Sequence, residues 1–470
     1  MSGRGFGPSG SSVELFDNCL RRGQSALQFR HAVVAGASMA GLLAARVLAD
    51  HFEHVTLIEK DVVARGPRPR KGVPQGRHVH LLLAGGLLVL GRLFPGLARE
   101  LMRAGAVAIK GGRNVAWNHR GHWRVSDDSD LTMLSMTRPL LESAVASRLR
   151  SHTNIRLREA TRVVGLTGNP SNGISGVYVS PANEGKQREE IVADLIVDAT
   201  GRGSATPAWL EELGFDRPAA EQIPARVTYA TAAFRRSDGW PNWRALAIGG
   251  APTRRGGFML PVEQNRWLVS LAGYFDDQMP QDHPQFFTFA RSLPVPDLYN
   301  AIKLQEPVSN VVGHGFPGSR RQRYDRLRHV PERLIVLGDA LCSFNPVYGQ
   351  GITVSALEAE QLGAALAASK AGDDLGKDFS TRWFTRIKPI VDAAWDGVLI
   401  EDSRFPELSN GRSLRLRASQ WYVGRLHRAT YRDARVTDQF YRVLSFIDPP
   451  SSLFYPRVAF SALFAQPGGD

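Results

Sequence analysis

The feature that most constrains the fold is a short stretch between residues 31 and 59. It holds the apolar run AVVAG, the small-residue turn GASMAG, the helix-like stretch LLAARVLAD and a second apolar run, VTLIE. This alternation is typical of a β-α-β unit with parallel strands. Gly36 permits the tight turn after the first strand, and Gly41 lets the helix pack closely on that strand. Ser38 stands where such turns usually carry a second glycine.

The same unit carries the groups that a dinucleotide needs. The helix that begins after Ser38 directs free N–H groups and the positive end of its dipole at a pyrophosphate. Glu59 follows Gly41 by eighteen residues and closes the second strand, where a carboxylate accepts a hydrogen bond from a ribose hydroxyl. An acid at this position favours FAD or NAD over NADP. An ordinary small-residue turn between a strand and a helix is the alternative interpretation.

Two later blocks repeat the pattern of an apolar strand that ends in an acid and small residues. The first reads DLIVDATGRGS, with Asp198 closing the strand and Gly201 three residues on. The second of these, which is the third block of the chain, reads ERLIVLGDALCSFNPVYGQG, with Gly338 and Asp339 at the strand end. Strand ends of this kind allow the backbone to come close to a bound cofactor. We expect the Asp339 carboxylate to accept a hydrogen bond from a cofactor hydroxyl.

A long helix pattern follows this third block of the chain. It begins beyond Gly349 and Gly351, and backbone N–H groups near Gly351 and Ile352 would face an electron-rich ring. Between the two blocks, residues 227–274 alternate β-branched and aromatic side chains, which predicts an inserted antiparallel sheet. After residue 374 the pattern is mostly helical. The sequence therefore predicts an α/β fold.

Charge limits the choice of partners. The chain has 58 basic and 45 acidic residues, a net charge of +13, and only eight of the basic residues are Lys. Acids are dispersed among the arginines and no nucleic-acid-binding motif occurs, so we expect no nucleic-acid partner. The basic loop at 65–80, with Arg70 and Lys71, suits flavin phosphates or a passing nicotinamide cofactor, and a solvated basic loop is the alternative. Arg138 stands at a predicted helix start, where the dipole does not favour a cation, so it is either solvated or, as we favour, reaches a phosphate.

Targeting signals and metal motifs are not evident. Residues 1–29 are rich in Gly and Ser without an apolar core and are predicted to be a flexible tail. The longest apolar run, residues 81–94, is shorter than the roughly 20 residues of a transmembrane helix. Cys19 and Cys342 offer no disulfide framework, and His78 and His80 lack a third ligand at metal-binding spacing. We therefore expect a cytoplasmic protein without a transmembrane segment or a metal.

Together the three blocks resemble the FAD-dependent monooxygenases of the para-hydroxybenzoate hydroxylase type, the group A flavoprotein monooxygenases. The resemblance covers residues 30–367 and rests on GASMAG with Glu59, on DLIVDATG and on LGDALCSFNPVYGQG. The strings RKGVPQGRHVHLLLAGG and VDATGRGS are most similar to flavin epoxidases that act on polyene precursors of polyethers. The resemblance implies a Rossmann-like FAD-binding fold of the GR2 type with an inserted antiparallel substrate sheet and a C-terminal helical region.

This resemblance also implies how the chain is divided and which residues contact FAD. The predicted divisions are a tail at 1–29, a first FAD-binding part at 30–220, a substrate sheet at 221–325, a second FAD-binding part at 326–375 and a helical region at 376–470. The candidate FAD-binding residues are Gly36, Ser38, Met39, Ala40, Gly41, Glu59, Lys60, Arg70, Lys71, Arg138, Val163, Asp198, Gly201, Gly338, Asp339, Pro346, Gly349, Gly351 and Ile352.

In such enzymes NADH or NADPH reduces the flavin, and dioxygen then forms a flavin hydroperoxide that transfers one oxygen atom to the substrate. The oxidant is the cofactor, so the resemblance requires no catalytic protein nucleophile. The implied partners are a hydrophobic small molecule, a polyene or an aromatic compound, and dioxygen. Candidate substrate-pocket residues on the middle sheet are Tyr229, Phe258, Met259 and Trp267, for each of which an ordinary core position is the alternative. The oligomeric state does not follow from the sequence.

Other functions remain open at this stage. A flavin-dependent halogenase shares the cofactor fold but normally carries a WxWxIP signature and an active-site lysine, which the nearest string, WPNWRALAIGG, does not match. An isoprenoid reductase or dehydrogenase would use the same fold without inserting oxygen. A non-catalytic regulator that binds FAD or NAD is the alternative outside the enzymes.

Overall fold

The computed structural model describes residues 29–63, 65–70, 72–126, 129–183, 187–236, 243–369, 375 and 378–464. The predicted tail, apart from its last residue, and Lys71 lie outside these ranges.

The described residues form 21 strands and 13 α-helices. The strands are β1 Phe29–Ala35, β2 Phe52–Ile58, β3 Leu81–Leu82, β4 Val107–Lys110, β5 Val115–His119, β6 His122–Trp123, β7 Thr132–Ser135, β8 Ile155–Arg158, β9 Thr161–Asn169, β10 Gly173–Pro181, β11 Glu189–Val192, β12 Leu195–Asp198, β13 Ala220–Ile223, β14 Val227–Arg235, β15 Ala245–Gly249, β16 Arg255–Val262, β17 Arg266–Tyr274, β18 Val312–Phe316, β19 Ser319–Gln322, β20 Leu334–Val336 and β21 Cys342–Ser343. The helices are α1 Met39–Leu48, α2 Ala84–Leu93, α3 Leu97–Arg103, α4 Gly111–Asn114, α5 Arg138–Leu149, α6 Thr206–Glu212, α7 His283–Arg291, α8 Asp297–Ile302, α9 Gly351–Ala367, α10 Phe379–Asp402, α11 Leu414–Ala429, α12 Ala434–Leu444 and α13 Pro456–Phe464.

A five-stranded parallel sheet, ordered β20-β12-β1-β2-β8, forms the centre of the cofactor-binding half. Strands β1 and β2 each bury their last four residues, and helix α1 packs against β1, β2 and β12 while helix α10 packs against β20. Ala35 at the end of β1 pairs with Asp198 of β12 and with Ile58 of β2. Parallel pairing therefore brings the ends of all three predicted blocks to one edge of the sheet, and the predicted α/β fold class is confirmed.

A seven-stranded sheet, ordered β18-β14-β17-β16-β15-β5-β6, matches the predicted inserted sheet. All of its neighbouring strands are antiparallel except β15 and β5, where Ala245 pairs in parallel with Val115. Because β5 and β6 come from residues 115–123, the sheet also takes two strands from the segment predicted as the first FAD-binding part. Helices α7 and α8 cover one face of the sheet, and the other face borders the main cavity.

Three smaller sheets and the C-terminal helices complete the fold. The sheets are β9-β10-β11, β3-β7-β4 and β13-β19-β21, each antiparallel. The predicted C-terminal helices are present as α10 to α13, and α10 is a 24-residue helix that contains Pro389. Among the described residues, no helix is both long and apolar enough to cross a bilayer.

Candidate flavin site and substrate cavity

The turn between β1 and α1 is built for close backbone approach. Gly36 has φ of +99°, and a Cβ on it would lie 2.4 Å from the carbonyl oxygen of Ala199. A Cβ on Gly41 would lie 1.7 Å from the carbonyl oxygen of Gly36. Ser38 is the N-cap of α1, but its hydroxyl donates to Glu142 (2.8 Å) instead of accepting from the helix N–H groups. The start of α1 thus keeps its N–H groups for an anion.

A buried carboxylate organises the arginines beside this turn. Glu142 accepts from Arg138 Nε (2.9 Å) and from Arg70 Nη2 (2.9 Å). Arg138 Nη2 donates to Ser38 Oγ (2.7 Å), and Arg70 Nη2 donates to the carbonyl oxygen of Ala37 (2.9 Å). Burial opposes ionisation of Glu142, but Arg138 and Arg70 outweigh it and lower its pKa. Sequence reasoning missed Glu142, although its spacing of four residues from Arg138 is an ion-pair pattern on a helix.

Glu59 directly follows β2 and lies next to the turn. Its carboxylate accepts from the backbone N–H of Ala37 (2.8 Å) and of Asp61 (3.0 Å), and Arg70 Nη1 lies 3.3 Å away. These donors hold the carboxylate at the cavity wall, which Lys60 and Val163 also line. The predicted ribose contact of Glu59 stays a prediction, and its position at the turn is compatible with it.

The third block adds an acid at the same cavity. Asp339 lines it, and burial raises the pKa of this carboxyl, opposed by Arg138 and Arg202. Glu358 of α9 lies behind it and accepts from the backbone N–H of Gly338 (2.7 Å). Burial raises the pKa of Glu358 to about 8, so this acid holds the strand end as a largely neutral group at pH 7. Sequence reasoning missed Glu358, because an acid within a long helix is ordinarily expected on the exposed side of that helix.

Asp198 supports its loop from outside the cavity wall. One carboxylate oxygen accepts from the backbone N–H and the hydroxyl of Thr200 (2.9 and 2.6 Å). The other accepts from the hydroxyls of Ser204 (2.5 Å) and Thr206 (2.7 Å). Its lone pairs are committed to this loop, so we assign it a positioning role and correct the expected direct contact with the cofactor. Gly201, three residues on, does line the cavity.

A polar network lies where the loop of the third block meets the substrate sheet. Asn345 Oδ1 accepts from Tyr229 Oη (2.9 Å), and Asn345 Nδ2 donates to Tyr274 Oη (3.2 Å). Tyr348 Oη donates to Asp402 (2.6 Å), which also faces Asn345 Nδ2 (3.3 Å). Burial raises the pKa of Asp402 to about 7, although Tyr348 and Asn345 act against the shift. Asp402, far away in the sequence, carried no motif that would have revealed it.

The seven-stranded sheet separates predicted pocket residues by face. Tyr229 and Phe258 line the cavity. Met259 and Trp267 are 0% and 2% exposed and lie in the core under α7 and α8, so their assignment to the substrate pocket is wrong. Met259 follows Phe258 directly, and successive side chains of a strand point to opposite faces. The strand pattern, apolar on both faces, did not indicate which face borders the cavity.

A second polar cluster lies on the wall formed by β5 and α11. His427 Nδ1 faces Arg124 Nη2 (2.9 Å), a group that only donates, so His427 carries its proton on Nε2 and donates it to Glu401 (3.2 Å). Burial opposes ionisation of Glu401, but His427, Arg404 and Arg120 lower its pKa to about 2. Burial lowers the pKa of His427 to about 4, which keeps the ring neutral at pH 7.

His119 presents its ring to the cavity beside this cluster. Tyr431 Oη donates to the carbonyl oxygen of His119 (3.1 Å) and lies 2.7 Å from its Nδ1, so Nδ1–H donates to Tyr431 and Nε2 is left as an acceptor. A Cβ on Gly250 would lie 2.4 Å from Cδ2 and 2.6 Å from Nε2, so only glycine fits against this edge of the ring. Burial and the neighbouring His427 lower the pKa of His119 well below its usual value.

The same cluster brings three potential metal ligands together. One ligand atom from each of His119, Glu401 and His427 lies within 4.8 Å of the others. The ligand set is poorly suited to a cation, because Arg120 and Arg404 already neutralise Glu401 and the Nε2 of His427 carries a proton. The arrangement suits hydrogen bonding to a neutral or anionic molecule.

One cavity of about 1280 Å³ joins the turn, the third block, the polar network and the histidine cluster. Of the predicted cofactor residues, those that line it are Gly36, Ser38, Met39, Ala40, Glu59, Lys60, Arg138, Val163, Gly201, Asp339, Pro346, Gly349, Gly351 and Ile352. Gly41, Arg70, Asp198 and Gly338 are not on its wall. A Cβ on Gly349 would project into open space, and the same holds for Gly201. A cleft edged by bare backbone, N–H groups and arginines fits a dinucleotide.

Comparison with known proteins agrees with this geometry. The FAD binding domain family matches residues 30–382, three quarters of the chain. The chain therefore belongs to the FAD binding domain family. It is 34% identical over 356 residues to Protein Rv3254 of Mycobacterium tuberculosis (strain ATCC 25618 / H37Rv), covering 72% of this chain and 73% of that protein.

Two solved structures share the fold at low sequence identity. The flavin-dependent brominase Bmp2 aligns with a TM-score of 0.63 and 14% identity, over 93% of this chain and 98% of that one. PqsL, a probable FAD-dependent monooxygenase from Pseudomonas aeruginosa, aligns with a TM-score of 0.59 and 16% identity, over 81% and 99%. The family match confirms FAD as the predicted cofactor, and the shared fold agrees with the predicted class, a group A FAD-dependent monooxygenase. The likeness to polyether epoxidases stays a prediction.

Proposed function

We propose that the protein uses NADH or NADPH and dioxygen to insert one oxygen atom into a hydrophobic small molecule, either by hydroxylating an aromatic ring or by epoxidising a polyene. The observation that carries the proposal is the single cavity, which joins the dinucleotide cleft to an apolar wall. Its volume of about 1280 Å³ exceeds the roughly 300–1,000 Å³ typical of a single drug-sized ligand. Such a volume supports a cofactor and a substrate side by side.

Residues of the described chain would hold FAD along this cleft. The start of α1, Ser38 and Arg138 would bind the pyrophosphate, Glu59 the adenosine ribose and Asp339 the ribitol. The loop at 346–352 would border the isoalloxazine. When bound, FAD supplies the electron transfer and the activation of dioxygen. The role of the surrounding residues is to orient it and to exclude water.

On the substrate side, the cavity offers apolar side chains for packing and a polar group for hydrogen bonding. Trp117, Phe258 and Phe440 line the cavity and would pack on a hydrophobic substrate. His119 Nε2 is an acceptor at this wall and would take a hydrogen bond from a substrate hydroxyl. A hydroxyl-bearing aromatic ring would use both features, whereas a polyene would use only the first.

The test is a substrate screen with the FAD-loaded protein. Phenols, their methyl ethers and polyenes are incubated with NADH or NADPH, and consumption of the reductant is measured together with formation of oxygenated product. Product that depends on dioxygen and forms in step with reductant use supports the proposal. Reductant use that yields only hydrogen peroxide with every compound class would count against a monooxygenase acting on these substrates.

A second candidate comes from the brominase Bmp2, whose fold this chain shares. The screen is therefore repeated with bromide. A brominated product, formed only when bromide is present, would replace oxygen insertion by halogenation. Substrate oxidation or reduction without oxygen or bromine in the product would instead favour a dehydrogenase or a reductase.

A further inference from the structure

The C-terminal helices expose a concentrated set of large apolar side chains. Of the fourteen that the described residues expose, seven lie in residues 411–464. Helix α13 buries Val458 and Ala462 against α11 but leaves Phe460 (65%) and Phe464 (69%) exposed. We call the following residues the aromatic face: Trp421, Phe454, Tyr455, Phe460, Leu463 and Phe464.

Direct contacts join the parts of the aromatic face. Tyr422 of α11 stacks on Phe454 with ring centroids 4.6 Å apart. Arg425 lies over the ring of Trp421 at 5.1 Å and donates to the carbonyl oxygen of Leu463 (2.5 Å). The exposed residues of α11, of the turn before α13 and of α13 itself therefore belong to one surface.

The same segment holds nearly half of the net positive charge of the chain. Residues 411–464 contain nine arginines and three acids, leaving +6 of the total +13. Arg442 pairs with Asp130 and Asp448. For the other eight arginines, the described part of the chain supplies no carboxylate within 4.0 Å. Five of them are exposed: Arg415, Arg417, Arg432, Arg435 and Arg457.

We propose that the aromatic face binds the surface of an anionic lipid membrane. Exposed aromatic rings inserted at the headgroup level, together with arginines facing anionic headgroups, are the two features that hold a peripheral helix at such a surface. A second copy of this chain fits less well, because pairing the two faces would bring together two segments that each carry a surplus of six positive charges. The helices lie on the membrane, in keeping with the finding that none of the described ones can span it.

The aromatic face adjoins the cavity. Pro449, Pro450 and Leu453 line the cavity wall, and the next two residues, Phe454 and Tyr455, belong to the face. A molecule dissolved in the lipid would therefore have a short route into the cavity. Membrane binding does not depend on the proposed reaction, whereas uptake of substrate from the lipid rests on that proposed function.

Vesicle flotation with the full-length, FAD-loaded chain tests the proposal. Vesicles of phosphatidylcholine are compared with vesicles that also contain phosphatidylglycerol. The protein is expected to float only with the anionic vesicles and to dissociate as the salt concentration rises from about 0.1 M to about 1 M. The double variant Phe460→Ser, Phe464→Ser and the double variant Arg417→Glu, Arg432→Glu are each expected to bind on the order of tenfold less.

Matched controls use exposed residues elsewhere. Leu304→Ser, at a side chain 86% exposed, and Arg99→Glu are expected to bind like the wild type. Flavin content and the melting temperature show whether each variant is folded. If the aromatic variant does not fold, the arginine variant alone decides whether the aromatic face binds the membrane. Equal binding to neutral vesicles, or no flotation at all, would overturn the proposal. So would a wild-type dimer that Phe460→Ser, Phe464→Ser converts to a monomer without any effect on vesicles.

Discussion

At the scale of single residues, the cofactor turn depends on a carboxylate that no motif contains. Glu142 holds Ser38, Arg70 and Arg138 together beneath the start of α1. Two guanidinium groups share one buried acid, so removal of its charge would leave both of them partly unpaired. The geometry of the predicted pyrophosphate contact follows from this arrangement.

We expect Glu142→Gln to lower the free energy of unfolding by roughly 3 kcal/mol or more, because breaking a buried ion pair leaves a buried charge without compensation. The matched control is Glu100→Gln. Glu100 pairs with Arg148, but the two side chains are 42% and 39% exposed. A change of about 0–1 kcal/mol is expected there. Urea unfolding of both variants measures the difference, and equal losses would show that Glu142 has no special role.

We expect Gly41→Ala to yield protein without flavin, because the new Cβ would meet the carbonyl oxygen of Gly36 and displace α1 from β1. Gly91→Ala in α2 is the control, since nothing lies within 4 Å of a Cβ there. That exchange is expected to be neutral or to stabilise by about 0.5–1 kcal/mol. Flavin absorbance per purified chain is the measurement. Full flavin content in Gly41→Ala would contradict the placement of the site.

Sequence alone identified residues that line this edge of the cavity and misplaced part of the substrate wall. The glycines and acids of the turn stand at fixed distances along one chain segment, so residues such as Gly36, Glu59 and Asp339 were identifiable. Glu142 and Asp402 reach the site through the tertiary fold, and nothing near them in sequence marks their role. Met259 and Trp267 were misplaced because both faces of their strands are apolar.

At the scale of elements, the end of α10 places two acids with opposite environments side by side. Glu401 faces His427 and two arginines, and its pKa is lowered to about 2. Asp402 faces Tyr348 and Asn345, and burial raises its pKa to about 7. Neighbouring acids whose pKa values are pushed apart are common where one group must be charged and the other must hold a proton.

Asp402 predicts a pH dependence of stability. The folded chain keeps this proton up to about pH 7, whereas the unfolded chain loses it near the usual pKa of 3.8. The folded state therefore binds more protons across this window, and the contribution of Asp402 to the free energy of unfolding falls as the pH rises. Asp402→Asn, which cannot ionise, is expected to gain stability relative to the wild type as the pH rises from about 4 to about 7. If the free energies of unfolding of Asp402→Asn and of the wild type changed in parallel with pH, this prediction would be contradicted.

The pairing of elements was only partly predictable. The β-α-β pattern and the alternation at 227–274 are local, and both predicted elements are present. The addition of β5 and β6 to the substrate sheet is a non-local pairing, since β5 meets β15 about 130 residues later. Short strands carry little pattern of their own, so the sequence did not indicate which sheet they would join.

At the scale of the whole molecule, one cavity connects the FAD-binding half, the substrate sheet and the C-terminal helices. Arginines gather in two regions of the molecule. Arg70 and Arg138 lie beside the dinucleotide cleft, paired with Glu59 and Glu142, and nine arginines with only three acids lie in the C-terminal segment that carries the aromatic face. Both regions are suited to anionic groups, the first to the cofactor and the second to lipid.

The central claim is that this cavity transfers oxygen from dioxygen to a substrate held beside FAD. Isotopically labelled dioxygen tests it most directly, with the FAD-loaded protein, a nicotinamide reductant and a substrate found in the screen. Mass spectrometry is expected to find one labelled oxygen atom in the product, and none when the label is supplied in water. A product that forms at the full rate without any label from dioxygen would contradict the claim.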